Sequence, residues 1–352
     1  MSVTMKDIAR DLGVSVVTVS KVLRNHDDIG TETRNRVLQR IKELNYRPNL
    51  AARSLVTGRT FLVGLIVPGL LHPFFAEVAM ALSNALRKKG YYLIISSSEE
   101  DPELEDREID QLLGRRLDAL IIASSNTSPA GLERIEEQKT PYILIDRQFP
   151  DKLANFIGVD NEAVGVLATE HLIEVGCKRI AHMRGPEHIP SIRRMEGFRK
   201  AMRNHKRPVP PEYIVGGQTV DVDSHDHGFE AMGRLLELSP PPDGVFCYND
   251  PLAIGAMDRV LEAGLRVPED IAVIGCGNLH YDTSLRVPLS TIDQQSRQMG
   301  ERASKLVLQL IESKTPVRPR NIILESRVVP RLSTQRNSRR QKPASTPPSG
   351  KR

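Results

Sequence analysis

Arg47-Pro48-Asn49-Leu50-Ala51-Ala52-Arg53-Ser54-Leu55-Val56-Thr57-Gly58 divides the chain and decides how it is to be read. Pro48 lacks an amide proton and disfavours helix in the residue before it, so a helix arriving from upstream has to stop near Tyr46. Asn49 suits the cap of a new start, and residues 50–56 are able helix formers. A helix that short is marginal in water and forms only when something holds it. The expected holder is DNA, for reasons that lie on either side of this hinge.

Charge is distributed unevenly about it. The 352 residues carry a net charge of +5, but lysine and arginine outnumber aspartate and glutamate 11 to 6 over residues 1–60 and 7 to 0 over 331–352, whereas the body has 31 against 38. A basic head and tail on an acidic body imply a polyanion at the ends and another task in the middle. The length suits two or three domains that need no staples. No apolar run approaches the roughly 20 residues of a membrane span. Lys6, Asp7, Arg10 and Asp11 stand where a signal peptide would need an apolar run, so a cytoplasmic location is expected. Cys177, Cys247 and Cys276 lack metal-ligand spacing and read as buried thiols.

Upstream of the hinge, Met5, Ile8, Ala9 and Leu12 have the spacing of an amphipathic helix that Gly13 ends. Ser15 suits the cap of a second helix to about residue 23, with Val19, Val22 and Leu23 inward and Val16, Val17, Thr18 and Lys21 near its exposed start. A third helix is expected from Thr31 to about Leu44, with Val37, Leu38, Ile41 and Leu44 as core and Arg34, Arg36, Arg40 and Lys42 outward. Three such helices make a generic bundle or a helix-turn-helix unit. In the latter the second helix enters the major groove, and Val16, Val17, Thr18 and Lys21 meet the DNA.

Downstream, short apolar runs at 61–67, 91–97, 117–123, 142–145, 179–183, 244–248 and 271–275 alternate with helical periodicity at 74–89, 103–115, 161–176, 192–205, 227–238, 251–264 and 298–313. Alternation of this kind means parallel α/β sheets. The expected fold is an all-α helix-turn-helix head (1–48), a hinge helix (49–58), a core of two doubly wound α/β lobes (59–335) and a disordered basic tail (336–352). Ligands in such sheets sit beyond the carboxyl ends of strands. The residues there are His72 to Phe75, Ser97 and Ser98, Ser124 and Ser125, Asp146 and Arg147, Asp160 and Asn161, Asn249 and Asp250, and Gly277 and Asn278. Any one alone is ordinarily a cap or turn residue. Together they can ring a pocket.

Met5-Lys6-Asp7-Ile8-Ala9, Gly13-Val14-Ser15, Thr18-Val19-Ser20-Lys21-Val22-Leu23 and Tyr46-Arg47-Pro48-Asn49 with Ala52-Arg53-Ser54-Leu55 resemble the head and hinge of the lactose/galactose repressor family. The body resembles its periplasmic-binding-protein-like effector core at Pro73-Phe74-Phe75, Ile145-Asp146-Arg147, Val159-Asp160-Asn161, Ser191 with Arg194, Asn249-Asp250 and Val287-Pro288-Leu289. The resemblance implies a homodimer whose heads read a pseudo-palindromic double-stranded operator. Ser15, Val16, Val17, Thr18, Lys21 and Arg24 would serve the major groove, and Asn49, Ala52, Arg53 and Leu55 the minor groove, with Leu55 as a wedge. It also implies a small-molecule effector, a sugar or another metabolite, held by Phe74, Phe75, Ser124, Asp146, Asp160, Ser191, Arg194, Asn249 and Asn278. Of these Phe75 resembles the stacking aromatic, and Asp160, Ser191, Arg194 and Asn249 the polar clamps.

The chain departs from the family pattern in two places. A common asparagine position is Arg24, and the groove-facing positions 16 and 17 are valines. Sugar-responsive relatives carry Gly-aromatic-Asp-Asp where this chain has Gly275-Cys276-Gly277-Asn278, which removes an acceptor pair for sugar hydroxyls. Asp221, Asp223, His225, Asp226 and His227 crowd together but read as a polar loop, so no metal is expected. No nucleophile motif or phosphate loop appears, so neither catalysis nor a cofactor is expected. The expected function is a ligand-responsive transcriptional regulator, most simply a repressor. A solute-binding protein or a metabolite-processing enzyme on the same core are the rivals, and neither uses residues 1–58.

Overall fold

The computed structural model describes residues 3–23, 26–47, 54, 57–217 and 223–336. The chain divides into two compact units, Met1–Thr60 and Phe61–Arg352.

The first unit contains α1 (Met5–Leu12), α2 (Val16–Leu23) and α3 (Thr31–Glu43). Thr4 and Asp7 cap α1 reciprocally: the Asp7 N–H donates to Thr4 Oγ1 at 3.3 Å and the Thr4 N–H to Asp7 Oδ2 at 3.0 Å. Gly13 ends the helix at φ 65°, where a side chain is strained. Ser15 Oγ accepts from the Thr18 N–H at 3.0 Å and starts α2. Ile8, Ala9, Val19, Val22 and Val37 form the buried core. Leu38 was expected there, but it stands one residue round from Val37 and is 46% exposed. The three arginines expected outward are used within the head: Arg40 Nε donates to Asp11 Oδ2 at 3.1 Å, Arg36 Nη2 to the Leu12 carbonyl at 3.2 Å and Arg34 Nη2 to the His26 carbonyl. Arg24 and the hinge residues 48–53, 55 and 56 lie outside the described residues.

The second unit holds two six-stranded sheets among the described residues. The first contains β1 (Leu62–Val67), β2 (Tyr92–Ser97), β3 (Ala119–Ile122), β4 (Tyr142–Ile145), β5 (Phe156–Val159) and β11 (Asn321–Leu324), in the order β11-β5-β4-β3-β1-β2 and parallel throughout. The second contains β6 (Ile180–Arg184), β7 (Ile214–Gly216), β8 (Gly244–Cys247), β9 (Ala272–Cys276), β10 (Ser290–Asp293) and β12 (Arg327–Val329), in the order β12-β10-β9-β8-β6-β7. Only β12 breaks the parallel rule, pairing antiparallel with β10. The two sheets share one winding, in which the second strand of each flanks the first and the chain then reverses direction across the sheet. That reversal leaves a crevice at the carboxyl ends of the central strands.

Helices α4 (Pro73–Arg87), α5 (Pro102–Gly114), α6 (Ala130–Glu137) and α11 (Ser296–Glu312) cover the first sheet, and α7 (Asn161–Glu174), α8 (Ile189–Asn204), α9 (Ser224–Leu236) and α10 (Asp250–Glu262) the second. The chain therefore passes between lobes after β5, after β10 and between β11 and β12. Pairs α7 with α8 and α9 with α10 approach at backbone distance, which is why glycines sit at their contacts. A Cβ on Gly165 would lie 2.1 Å from the Arg194 carbonyl oxygen, and one on Gly255 1.9 Å from that of His225.

Strands β5, β7, β10, β11 and β12 and helix α6 were not among the expected elements. Each strand is three or four residues long and each lies where periodicity carries no signal. The helix expected to open near His227 opens at Ser224. Arg336, expected at the start of the disordered tail, is bound to the second lobe instead: its Nε donates to the Pro268 carbonyl at 3.0 Å, and its guanidinium lies 3.7 Å from Asp243. Residues 337–352 lie outside the described residues.

Candidate effector site

The carboxyl ends of both sheets face one narrow cleft lined by His72, Phe74, Phe75, Asp146, Arg147, Arg194, Tyr248, Asn249, Cys276 and Gln294. All but Arg194, which stands on the second turn of α8, come from a strand end or the first turn of the following helix. Pro73 starts α4 and sets His72, Phe74 and Phe75 on its opening turn, with the two phenyl rings edge to face at 5.1 Å. Asp146 and Arg147 follow β4, and Asp146 takes a left-handed φ of 60° that turns it off the strand. Asn249 caps α10, its Oδ1 accepting from the Leu252 N–H at 2.9 Å. Cap residues lie at the cleft mouth because helix starts do.

Arg194 is the centre of the cleft's polar network. It is 2% exposed, and its Nε donates to Asn161 Oδ1 at 2.9 Å, Nη1 to the Tyr248 carbonyl at 2.7 Å and Nη2 to Gln294 Oε1 at 2.6 Å. Those three acceptors are the first residue of α7 and the residues after β8 and β10, so one side chain ties two of the points where the chain crosses between lobes to a strand end of the second sheet. Its guanidinium carbon lies 4.6 Å from the centre of the Tyr248 ring, a cation–π contact. Arg147 is held differently, its Nη1 and Nη2 gripping Glu100 in a bidentate pair at 2.7 and 2.5 Å.

Burial and these cations shape every titratable group nearby. Desolvation first, then Arg147 and Arg194, push the His72 pKa down to about 4. His188 is lowered for the same reasons. Burial raises Asp146, with Arg147 and Arg194 opposing. Burial also holds the Cys276 thiol up at about 12, which makes it a poor nucleophile at neutral pH.

The cleft thus gathers Phe74, Phe75, Asp146, Arg194 and Asn249 of the expected effector residues. Four others do not line it. Asp160 caps α7, its Oδ1 accepting from the N–H groups of Glu162 and Ala163 at 3.0 and 3.1 Å, on a separate surface groove. Ser124 is turned away to bond buried Glu105, which also takes the Asn126 amide at 3.0 Å. Ser191 is buried in the first turn of α8. Asn278 Oδ1 accepts from Arg331 Nη2 at 2.6 Å. His72 and Arg147 were named among the strand-end residues that could ring a pocket, and both line the cleft. Tyr248, Cys276 and Gln294 were not named there: the first two stand at strand ends within reach of that rule, whereas Gln294 follows a strand the sequence did not reveal.

Behind the cleft two buried acids meet. Asp250 accepts from Thr291 Oγ1 at 2.6 Å, while neither oxygen of Asp282 has an ordinary donor and Arg331 Nη1 is no closer than 3.8 Å. Burial and the Asp250 charge raise the Asp282 pKa, so the pair holds a proton. A raised folded-state pKa gives stability that is full below the ordinary carboxylate range and is lost as pH rises through the raised value. Asp282→Asn is therefore expected to flatten the decline of stability between pH 5 and pH 9, as read by urea denaturation at both ends. A parallel decline in both proteins would remove this pair as its source.

In the head, Val16 and Val17 are 38% and 63% exposed at the start of α2. Thr18 Oγ1 is engaged with Ser15 Oγ at 2.8 Å. Lys21 is not free but paired with Asp28, and an exposed pair of that kind is weak enough to yield to phosphate. His225, from the crowded acidic stretch, is bonded to Asp226 and Asp258, and Asp221 lies outside the described residues.

Residues 4–49 match the model for bacterial regulatory proteins of the lacI family, and residues 169–334 that for the periplasmic binding protein-like domain. The HTH-type transcriptional repressor PurR of Actinobacillus pleuropneumoniae serotype 3 (strain JL03) is 33% identical over 336 residues, covering 94% of this chain and 98% of the relative. The chain belongs to the lacI family of bacterial regulatory proteins. The PurR repressor of Haemophilus influenzae (strain PittEE) is 34% identical over 88% of this lacI-family chain and 92% of its own length. Among solved structures, the Lac repressor dimer bound to operator and the anti-inducer ONPF matches with a TM-score of 0.81 at 27% identity, over 95% of this chain and 99% of that one. The complex of the transcriptional regulator CelR with cellobiose matches with a TM-score of 0.71 at 27% identity, over 94% and 99%. This lacI-family chain is a ligand-responsive DNA-binding transcriptional regulator, and its curated relatives are transcriptional repressors. No helix among the described residues is long and apolar enough to cross a membrane.

Proposed function

We propose that the chain acts as a cytoplasmic homodimeric repressor, without catalytic activity, whose operator affinity is set by a small polar effector in the cleft between its lobes. The supporting observation is Arg194, a buried guanidinium that holds Asn161 and Gln294, where the chain crosses between lobes, and lines the cleft where strand ends of both sheets meet. A ligand in that cleft meets residues of both lobes at once, so it favours one lobe geometry over the other by its difference in binding energy. Linkage then requires that operator DNA alter effector affinity by the same factor. The absence of enzymatic work is supported by the curated relatives, which are transcriptional repressors.

The test is to select binding sites from a random duplex pool with the full chain, then measure anisotropy on the selected site with and without metabolites. A palindromic site whose affinity responds to a metabolite is expected. Binding without symmetry or any response would reject the reading.

In the head, exposed Val16 and Val17 can meet only thymine methyls or other apolar edges. Sequence discrimination then leans on Thr18, Lys21 and the bend that the hinge imposes. Leu55→Ala is expected to weaken the selected site at least tenfold more than random DNA, because a wedge acts only in the kinked complex. Equal losses on both duplexes would exclude the wedge.

A further inference from the structure

The cleft's hydrogen-bonding capacity is lopsided, and the caps behind it reveal the direction of each bond. Asn249 commits Oδ1 to the Leu252 N–H, so its amide nitrogen is what faces His72 Nε2 at 3.4 Å. Nε2 accepts, and the neutral ring carries its proton on Nδ1. That Nδ1 is shut off from solvent and has no partner. His188 is oriented in the same way. Its Nδ1 accepts from the Ser191 N–H at 3.4 Å, which leaves Nε2 to donate to the Tyr248 hydroxyl at 3.3 Å. The hydroxyl, engaged as an acceptor, retains its own proton to give. Arg147 spends Nη1 and Nη2 on Glu100, but its Nε is buried without an acceptor, 4.0 Å from Asp146 Oδ2. Arg194 bears a charge that no carboxylate pairs, since its three acceptors are all neutral.

His72, Arg147, Arg194 and Tyr248 line one cavity, and the carboxylate lining it with them is Asp146. The position where a further acidic side chain would enter is Gly277. A Cβ there would lie 2.6 Å from Asp250 Oδ2, and the φ of 153° is one that side chains rarely adopt. Donors therefore exceed acceptors, and cationic charge without an ion pair sits among them.

We propose that the effector carries an oxyanion, a carboxylate or a phosphate, seated against Arg147 Nε, His72 Nδ1 and the Tyr248 hydroxyl beside Arg194. The proposal rests on the cleft being the effector site. An oxyanion brings several lone pairs and few protons, so it can take bonds from donors on several of the cleft's residues. A neutral sugar or base brings donors of its own, for which Asp146 is the available acceptor. Asp146 then receives a hydroxyl or amino group at the other end of the same ligand.

The test uses the full chain and matched probes: glucose against glucuronate and glucose 6-phosphate, ribose against ribose 5-phosphate, and uncharged guanine and hypoxanthine. Unfolding temperature and affinity for the selected operator are read for each. The acidic member of a pair is expected to act at a concentration at least tenfold lower than its neutral parent, and the carboxylate and phosphate arms distinguish the source. His72→Gln and Arg147→Gln should each reduce that preference about tenfold. If Arg147→Gln fails to fold because Glu100 loses its partner, the histidine variant still decides. Neutral probes acting as well as acidic ones, with an operator response, would overturn the oxyanion and leave the regulator standing. No response to any probe in either measurement would overturn both.

Discussion

Replacing Arg194 with alanine is expected to abolish the effect of the effector on operator binding, with a loss of at least a hundredfold in effector affinity. The operator affinity of the effector-free protein should change far less. The guanidinium supplies donors to Asn161, Tyr248 and Gln294, all inside the fold, so truncation also leaves buried acceptors unpaired. Each such loss costs about 1–3 kcal/mol, and the variant should be destabilised by about 4 kcal/mol in all. Arg194→Lys separates the two effects. It keeps the charge but cannot fork toward three acceptors, so part of the stability should return while the response does not. A normal effector response in folded Arg194→Ala would remove this residue from the site.

The second large effect is expected at Gly197, where α8 crosses α7. A Cβ there would fall 2.1 Å from the Glu162 carbonyl oxygen and 2.9 Å from the Val166 nitrogen, while Gly165 on the opposite helix makes the reciprocal approach to Arg194. Backbone cannot retreat as a flexible side chain can, so the helices have to separate. Gly197→Ala should cost about 3 kcal/mol and, by shifting the turn that carries Arg194, weaken the effector response as well. Gly114→Ala is the matching control. It lies at the end of α5 with nothing within 4 Å of its Cβ, so the same added methyl should be neutral or stabilising by up to about 1 kcal/mol. Equal destabilisation of both variants in denaturant melts would show that the close crossing is not what matters.

These two glycines mark where reading the sequence stops. The α/β alternation was legible because β1, β3 and α7 are long or strongly apolar, whereas β7 and β12 are three-residue edge pairings whose membership depends on a neighbour far along the chain. The cleft was legible as a set of strand ends. Its membership was not, since Asp146 and Asp160 each follow a strand as an aspartate, yet one turns into the cleft and the other caps a helix outside it. Ser124 was drawn away by Glu105, a partner nineteen residues earlier on a different element.

By itself the sequence determined the three-helix head and the doubly wound lobes, because those depend on local period, caps and turns, and its motifs carried the resemblance to the family. The tertiary structure alone decided which polar groups converge. Hydrogen-bond direction in the cleft is set by contacts such as Arg194 to Gln294 and Asn249 to His72, 100 and 177 residues apart in the chain. Local propensity does not encode such pairings, since they exist only once two sheets place their strand ends face to face.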